Sequence, residues 1–238
     1  MIISALNIDF KELNNRIRAV NGNICIDNCC GQRFIGCGMN GKSLTINGTP
    51  GNALGAYLDG GRIEVIGNAQ DAVGDTMNDG KIIVHGRAGD GLGYAMRGGC
   101  IFIRDDAGYR TGIHMKEYNE KKPVIIIGGK TGSFLGEYLA GGIIIVLGIN
   151  SNDIPVGNFT GTGMHGGKIF IRTNSPLPPL PKQVAVDIAG EDDLLEIAPF
   201  ISEYAGYFGL DATQLMDDSY FILKPNAKNP YKQLYTAY

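Results

Sequence analysis

Between residues 44 and 172 the chain carries short runs dense in β-branched residues: RIEVIG, KIIVHG, CIFIRD, VIIIGG, IIIVLG and KIFIRT. Such runs, with apolar residues at every second position, read as strands. The alternation predicts the inward pairs Leu44/Ile46, Ile63/Val65, Ile82/Val84, Ile101/Ile103, Ile125/Ile127, Ile144/Val146 and Ile169/Ile171. NICI (23–26) is an imperfect first rung, one residue out of phase. No segment of helical length separates the strands, which excludes β-α-β units.

The connecting stretches repeat as well. Gly36, Gly55, Gly74, Gly93 and Gly112 are spaced 19 apart, and Gly136 and Gly161 follow at 24 and 25. Three residues after each stands Met39, Leu58, Met77, Met96, Met115, Leu139 or Met164, a second apolar ladder in the same phase. The longer spacings mark insertions at 116–123 and 149–156. These are outer loops of a solenoid, with at least one expected to face a partner. A strand, a glycine corner and a second apolar position every 19 residues predict a parallel β-helix, all-β and single-stranded, of about seven coils. The stretch GDGLGYAMRGG (89–99) looks like a phosphate-cradling loop, but such a loop occurs once and opens a helix. Here the glycines recur in coil after coil and the next element is a strand, so they read as structural corners.

The ends need caps. Residues 9–19, DFKELNNRIRA, predict a helix with Asp9 as N-cap and a stripe of Phe10, Leu13 and Ile17. NSPLPPLP (174–181) stops the repeat. Beyond it an acidic opening, Glu191, Asp192 and Asp193, suits a helix N-terminus, and Pro199 predicts a break into two helices. The divisions are thus a capping segment at 1–22, a β-helix at 23–173, a connector at 174–190 and a helical, Tyr-rich extension at 191–238. The extension, with Tyr220, Tyr231, Tyr235 and Tyr238, is expected to fold back over an end or flank of the helix, or to dock a partner.

Composition narrows the function. Glycine, at 36 of 238 residues, is about twice its usual share. The net charge is -3 and no Lys/Arg run appears, so a nucleic-acid footprint is absent. No apolar run has membrane-spanning length and the N-terminus lacks a basic leader, which predicts a cytoplasmic protein.

The series GNAQDAVGDTMNDGKIIVHGRAGDGLGYAMRGG, GYRTGIHMK, GGKTGSFLGEYLAGGIIIVLG and GTGMHGGKIFIR resembles the GXGXG domain of the glutamate synthase large chain. The likeness covers about residues 20–175. It implies a right-handed β-helix serving as a stand-alone subunit of a split glutamate synthase. The implied role is non-catalytic support of glutamine amidotransferase and FMN-dependent synthase subunits, with FMN and iron–sulfur clusters in those partners and none in this chain. A homo-oligomer is compatible with it. The resemblance also leaves room for a scaffold in another complex, like the formylmethanofuran dehydrogenase component built on the same repeat.

Other chemistry finds little purchase. His85, His114 and His165 fall in three different phases of the repeat and do not stack as a metal column. Cys25, Cys29, Cys30 and Cys37 match no common zinc or iron–sulfur spacing. They are either packing thiols of the first coil or ligands at an interface. Asn52, Asp71 and Asp90 share one phase and suit backbone capping at the corner. A paired-carboxylate carbohydrate enzyme is the alternative, and it lacks an aromatic sugar platform and a secretion signal. No residue is assigned a catalytic, cofactor-binding or metal-binding role.

Overall fold

The computed structural model describes residues 1–149, 151 and 153–226. Nine of its strands pair in parallel and in chain order. They are β1 (Ile2–Ser4), β2 (Asn23–Cys30), β3 (Ser43–Thr49), β4 (Asp59–Ile66), β5 (Asp79–Val84), β6 (Cys100–Ile103), β7 (Val124–Ile127), β8 (Ala140–Val146) and β9 (Gly166–Arg172). Each strand lies one coil beyond the last, so the molecule is a parallel β-solenoid. β2 contains NICI, the imperfect first rung, and with the seven inward pairs it makes eight rungs. It pairs out of phase, Ile24 with Leu44, and a bulge restores the 19-residue spacing at Cys29 and Gly48.

The register stacks like on like: Leu44, Ile63, Ile82, Ile101, Ile125, Ile144 and Ile169 form one column. Every predicted inward pair is at most 1% exposed. The ladder from Met39 to Met164 is buried opposite them, with Met39 the most open at 8%. Fully burying one such side chain contributes about 1.5–3 kcal/mol, and a single coil has no second layer to bury it against.

Both ends are closed. At the start, α1 (Phe10–Ala19) begins at Asp9, whose carboxylate accepts the N–H groups of Lys11 (2.7 Å) and Glu12 (2.9 Å). Leu13 and Ile17 enter the core, while Asn14 donates to the carbonyl of Arg33 at 3.0 Å and ties the cap to the first coil. At the far end the predicted connector contains a strand. β10 (Val184–Ile188) pairs antiparallel with β11 (Tyr220–Pro225), which pairs antiparallel with β9. This reversal ends the stacking, and Val184 and Leu223 plug the interior. Of the tail tyrosines, Tyr220 lies in β11; Tyr231, Tyr235 and Tyr238 lie outside the described residues.

The outward face of β5 to β9 is apolar too: Ile83, Phe102, Ile126, Ile145 and Phe170 are fully buried. They pack under α2 (Glu191–Phe208) through Ile197, Ile201 and Tyr204, with Leu215 of α3 (Ala212–Met216) beside them. Tyr204 donates its hydroxyl to the carbonyl of Arg104 at 3.1 Å. Contrary to the sequence expectation, α2 runs unbroken through Pro199. Pro199 and Leu195, whose carbonyl loses its helical partner, are both on the exposed face, so water replaces the missing bond. α2 ends at Gly209, in the left-handed conformation.

Ion pairs seat α2 on the sheet. Lys81 pairs with Glu203, Lys122 and Lys168 with Glu196 (3.0 and 2.6 Å), and Lys224 with Asp193 (3.1 Å). Burial tends to raise the Glu196 and Glu203 carboxyls. Hydrogen bonds from Lys168 and Lys122, and from Lys81 and Tyr207, outweigh it and hold both below their ordinary range. A carboxyl held low stabilises the fold above its unfolded pKa, and that contribution is lost as pH falls through the folded value. Acidification from about pH 6 to about pH 3 is therefore expected to loosen α2 before the solenoid melts. The near-UV circular dichroism of the tyrosines should fall while the far-UV strand signal persists; coincident loss of both signals counts against this seat.

Candidate functional site at the glycine corner

Each coil turns through one type of corner, in which three alternate residues are left-handed. In one corner these are Gly91 (φ 66°), Gly93 (φ 66°) and Ala95 (φ 50°). The same triplet recurs as Phe34-Gly36-Gly38, Ala53-Gly55-Tyr57, Arg110-Gly112-His114, Phe134-Gly136-Tyr138 and Phe159-Gly161-Gly163. The reason lies in the N–H directions. Gly91 donates to Tyr109 O (2.8 Å) on the next coil, Gly93 to Val73 O (2.8 Å) on the previous one, and Ala95 forward again to Ile113 O (2.9 Å). Alternating left-handed residues let one short turn bond to the coils on both sides. These N–H groups are occupied, so the corner does not fit a phosphate.

Only the central position demands glycine for space. A Cβ there would stand 2.7 Å or less from an Ile Cδ1 of the inner column at Gly36, Gly55, Gly74, Gly93, Gly112 and Gly136. At Gly161 it would meet Val184 at 3.0 Å. Gly38 and Gly91, by contrast, have nothing within 4 Å of an added Cβ. The outer positions are thus where side chains are free to vary, and on the later coils His114, Phe134, Tyr138 and Phe159 bring rings there. His114 stacks on Tyr138 (ring centroids 5.0 Å) and meets Tyr94 edge-on (5.9 Å). In the parallel row Phe134 stacks on Phe159 (5.0 Å) and Arg110 lies over Phe134 at 5.3 Å. Arg110 also pairs with Glu137 at 3.3 Å. The two rows flank a groove of about 540 Å³ lined by Tyr94, Tyr109 and Arg110. Reading the glycines alone passes over this edge; the signal for its two rows is the same 19-residue phase, taken two positions either side, while Tyr94 lies one position after its central glycine and Tyr109 three before.

The other candidates are dispersed. Asn52 and Asp71 share a column with Asp90 and act as caps: Asp71 Oδ1 accepts the Asp90 N–H (2.9 Å) and Asp90 Oδ1 that of Tyr109 (2.8 Å). The Asp71 N–H reaches Asn52 at 3.4 Å. Asn68 and Asp106 form a second such column, donated to by Arg87 and Lys130. His85 bonds Glu64 at 2.9 Å beside Phe208, whereas His165 bonds the Gly163 carbonyl at 3.2 Å. Among the described residues no three His, Cys, Asp or Glu side chains converge as metal ligands. Cys29 is buried and Cys30 exposed, on opposite faces of β2. Burial pushes the Cys29 thiol up to about 11, away from the thiolate a metal needs. Within the described residues the cysteines do not gather into an iron–sulfur ligand set.

A family profile described as GXGXG motif matches residues 5–224. The chain belongs to the GXGXG motif family. It is also similar to an uncharacterized protein of Methanocaldococcus jannaschii, 44% identical over 99% of this chain and 96% of that protein. In GXGXG terms, the central glycine is the one the packing enforces, and its two left-handed neighbours are the variable ones. No helix among the described residues is long and apolar enough to cross a membrane.

A paired substitution tests this division within the GXGXG corner. Gly93→Val combines left-handed strain with overpacking against Ile125, and is expected to cost about 3–5 kcal/mol. Gly91→Ala, in open space, should cost about 1 kcal/mol. Thermal melts of the two variants check it; equal stability would refute the assignment of the central position.

Proposed function

We propose that this chain is a non-catalytic subunit of a cytoplasmic, glutamate synthase-type complex. Its solenoid braces a glutamine amidotransferase protein and an FMN- and iron–sulfur-bearing synthase protein, which together make glutamate from glutamine and 2-oxoglutarate. The observation that carries the reading is the in-phase GXGXG repeat, matched over residues 5–224. The chain's own polar groups support it. The corner N–H groups and the Asp71 and Asp90 carboxylates are engaged in holding the coil stack together, and the lysines against α2 in seating that helix on the sheet. Such a body offers a rigid surface and leaves the flavin, clusters and nucleophile to its partners.

Co-expression with the synthase and amidotransferase proteins of the same organism is the test. The three are expected to co-elute, and omission of this chain should lower the yield of active complex. Purified alone, the chain should show neither flavin absorbance nor glutaminase activity. Flavin bound to the isolated chain, or failure to co-elute, would overturn the reading.

A further inference from the structure

The corner edge has the features of a binding surface that the described residues do not cover. Tyr94, Tyr109 and Phe159 are 43%, 57% and 56% exposed. Tyr94 and Tyr109 line one groove together with Asp90 and Arg110, and Phe159 ends the row that runs from Arg110 through Phe134 beside it; exposed rings gathered in this way mark interaction sites. Tyr94 is braced edge-on by His114 and Phe159 stacks on Phe134, so ordering these rings on contact costs little. Tyrosine and arginine are also the residue types that concentrate binding energy at interfaces.

Charge says what fits there. The repeat sets Asp75 one coil before Tyr94 and Asp90 one coil before Tyr109, each in the same phase. Asp90 is held in place by the Tyr109 N–H. Asp71 continues the second column, and Arg110 is already paired with Glu137. The edge therefore offers ring faces beside carboxylates that, among the described residues, accept hydrogen bonds from Thr76 and from backbone N–H groups and pair with no cation. A guanidinium or ammonium group laid on such a ring gains both cation–π attraction and a carboxylate partner. A second copy of the same edge would bring carboxylates against carboxylates, which is unfavourable. The insertion at 116–123 is a poorer docking candidate, because Lys121 and Lys122 are bound to Asp79 and Glu196 of this chain.

We propose that the edge from Tyr94 to Phe159 docks a partner protein through arginine or lysine side chains set among apolar ones. This rests on the subunit reading above for the partner's identity, the synthase protein.

The test places photo-reactive p-benzoylphenylalanine at Tyr94, Tyr109 or Phe159 of the full chain in cells of the native host. Leu195, exposed on α2, serves as the control position, and cross-linked peptides are identified by mass spectrometry. The expected result is cross-links from the edge, and not from Leu195, to a synthase peptide bearing arginine or lysine. The double variant Tyr94→Ser/Tyr109→Ser should then weaken co-elution at least about tenfold. Asp75→Asn/Asp90→Asn, which keeps the carbonyl acceptors, should weaken it too. Cross-links to the synthase protein from Leu195 with a silent edge would overturn the docking surface and leave the subunit reading intact. Edge cross-links to a basic peptide of the amidotransferase protein would keep the subunit reading and overturn the choice of the synthase as occupant, and cross-links to a basic peptide of an identified protein that is neither would uphold the surface and overturn the subunit reading. An edge silent toward every protein would overturn the surface outright.

Discussion

The structure depends on the glycine at the centre of each corner. Its missing Cβ lets the turn press directly against the isoleucine column of the neighbouring coils. Without that approach the interior would be too wide for one strand and one corner to fill between them. Its two flanking residues accept a left-handed backbone at about 1 kcal/mol each for non-glycine types. They persist there because each N–H gains a partner on an adjacent coil. Strain at the outer positions and exclusion of volume at the inner one are two sides of the same geometry.

The polar groups follow from stacking as well. A solenoid puts identical positions one strand spacing apart, so a column of like charges would repel unless each member had another task. The aspartates of the corner avoid this by accepting the N–H of the residue one coil later. A pair of carboxylates in phase on a β-solenoid thus has a structural use, and its spacing alone does not mark a catalytic pair. The histidines illustrate the complementary point: different phases put them against α2, in the aromatic edge and at the last corner.

One sheet here serves two cores. Its inward face fills the solenoid, and its outward face from β5 onward is sealed by α2 and α3. This is why VIIIGG and IIIVLG are apolar without a break, whereas RIEVIG alternates: β4 keeps a polar outward face at Glu64, and β7 is buried on both. The antiparallel pair β10 and β11 solves a different problem, closing the open end of the stack.

The sequence by itself determined the repeat, the inward columns, the glycine and methionine ladders and the helical cap at Asp9. All of these are periodic or local, and the 19-residue phase superimposes many copies of one signal. The tertiary structure decided what depends on residues far apart in the chain. Tyr204 reaching Arg104 sets the face that α2 covers, and with it the tolerance of Pro199 on the opposite side. The pairing of Val184 with Pro225 turns part of a proline-rich connector into a strand. The aromatic edge belongs to both: its phase is written in the sequence, but its exposure is not. Only the packed solenoid shows that Tyr94, Tyr109 and Phe159 face water, because the central glycine presses the middle of the corner against the isoleucine column and leaves these positions on its outside.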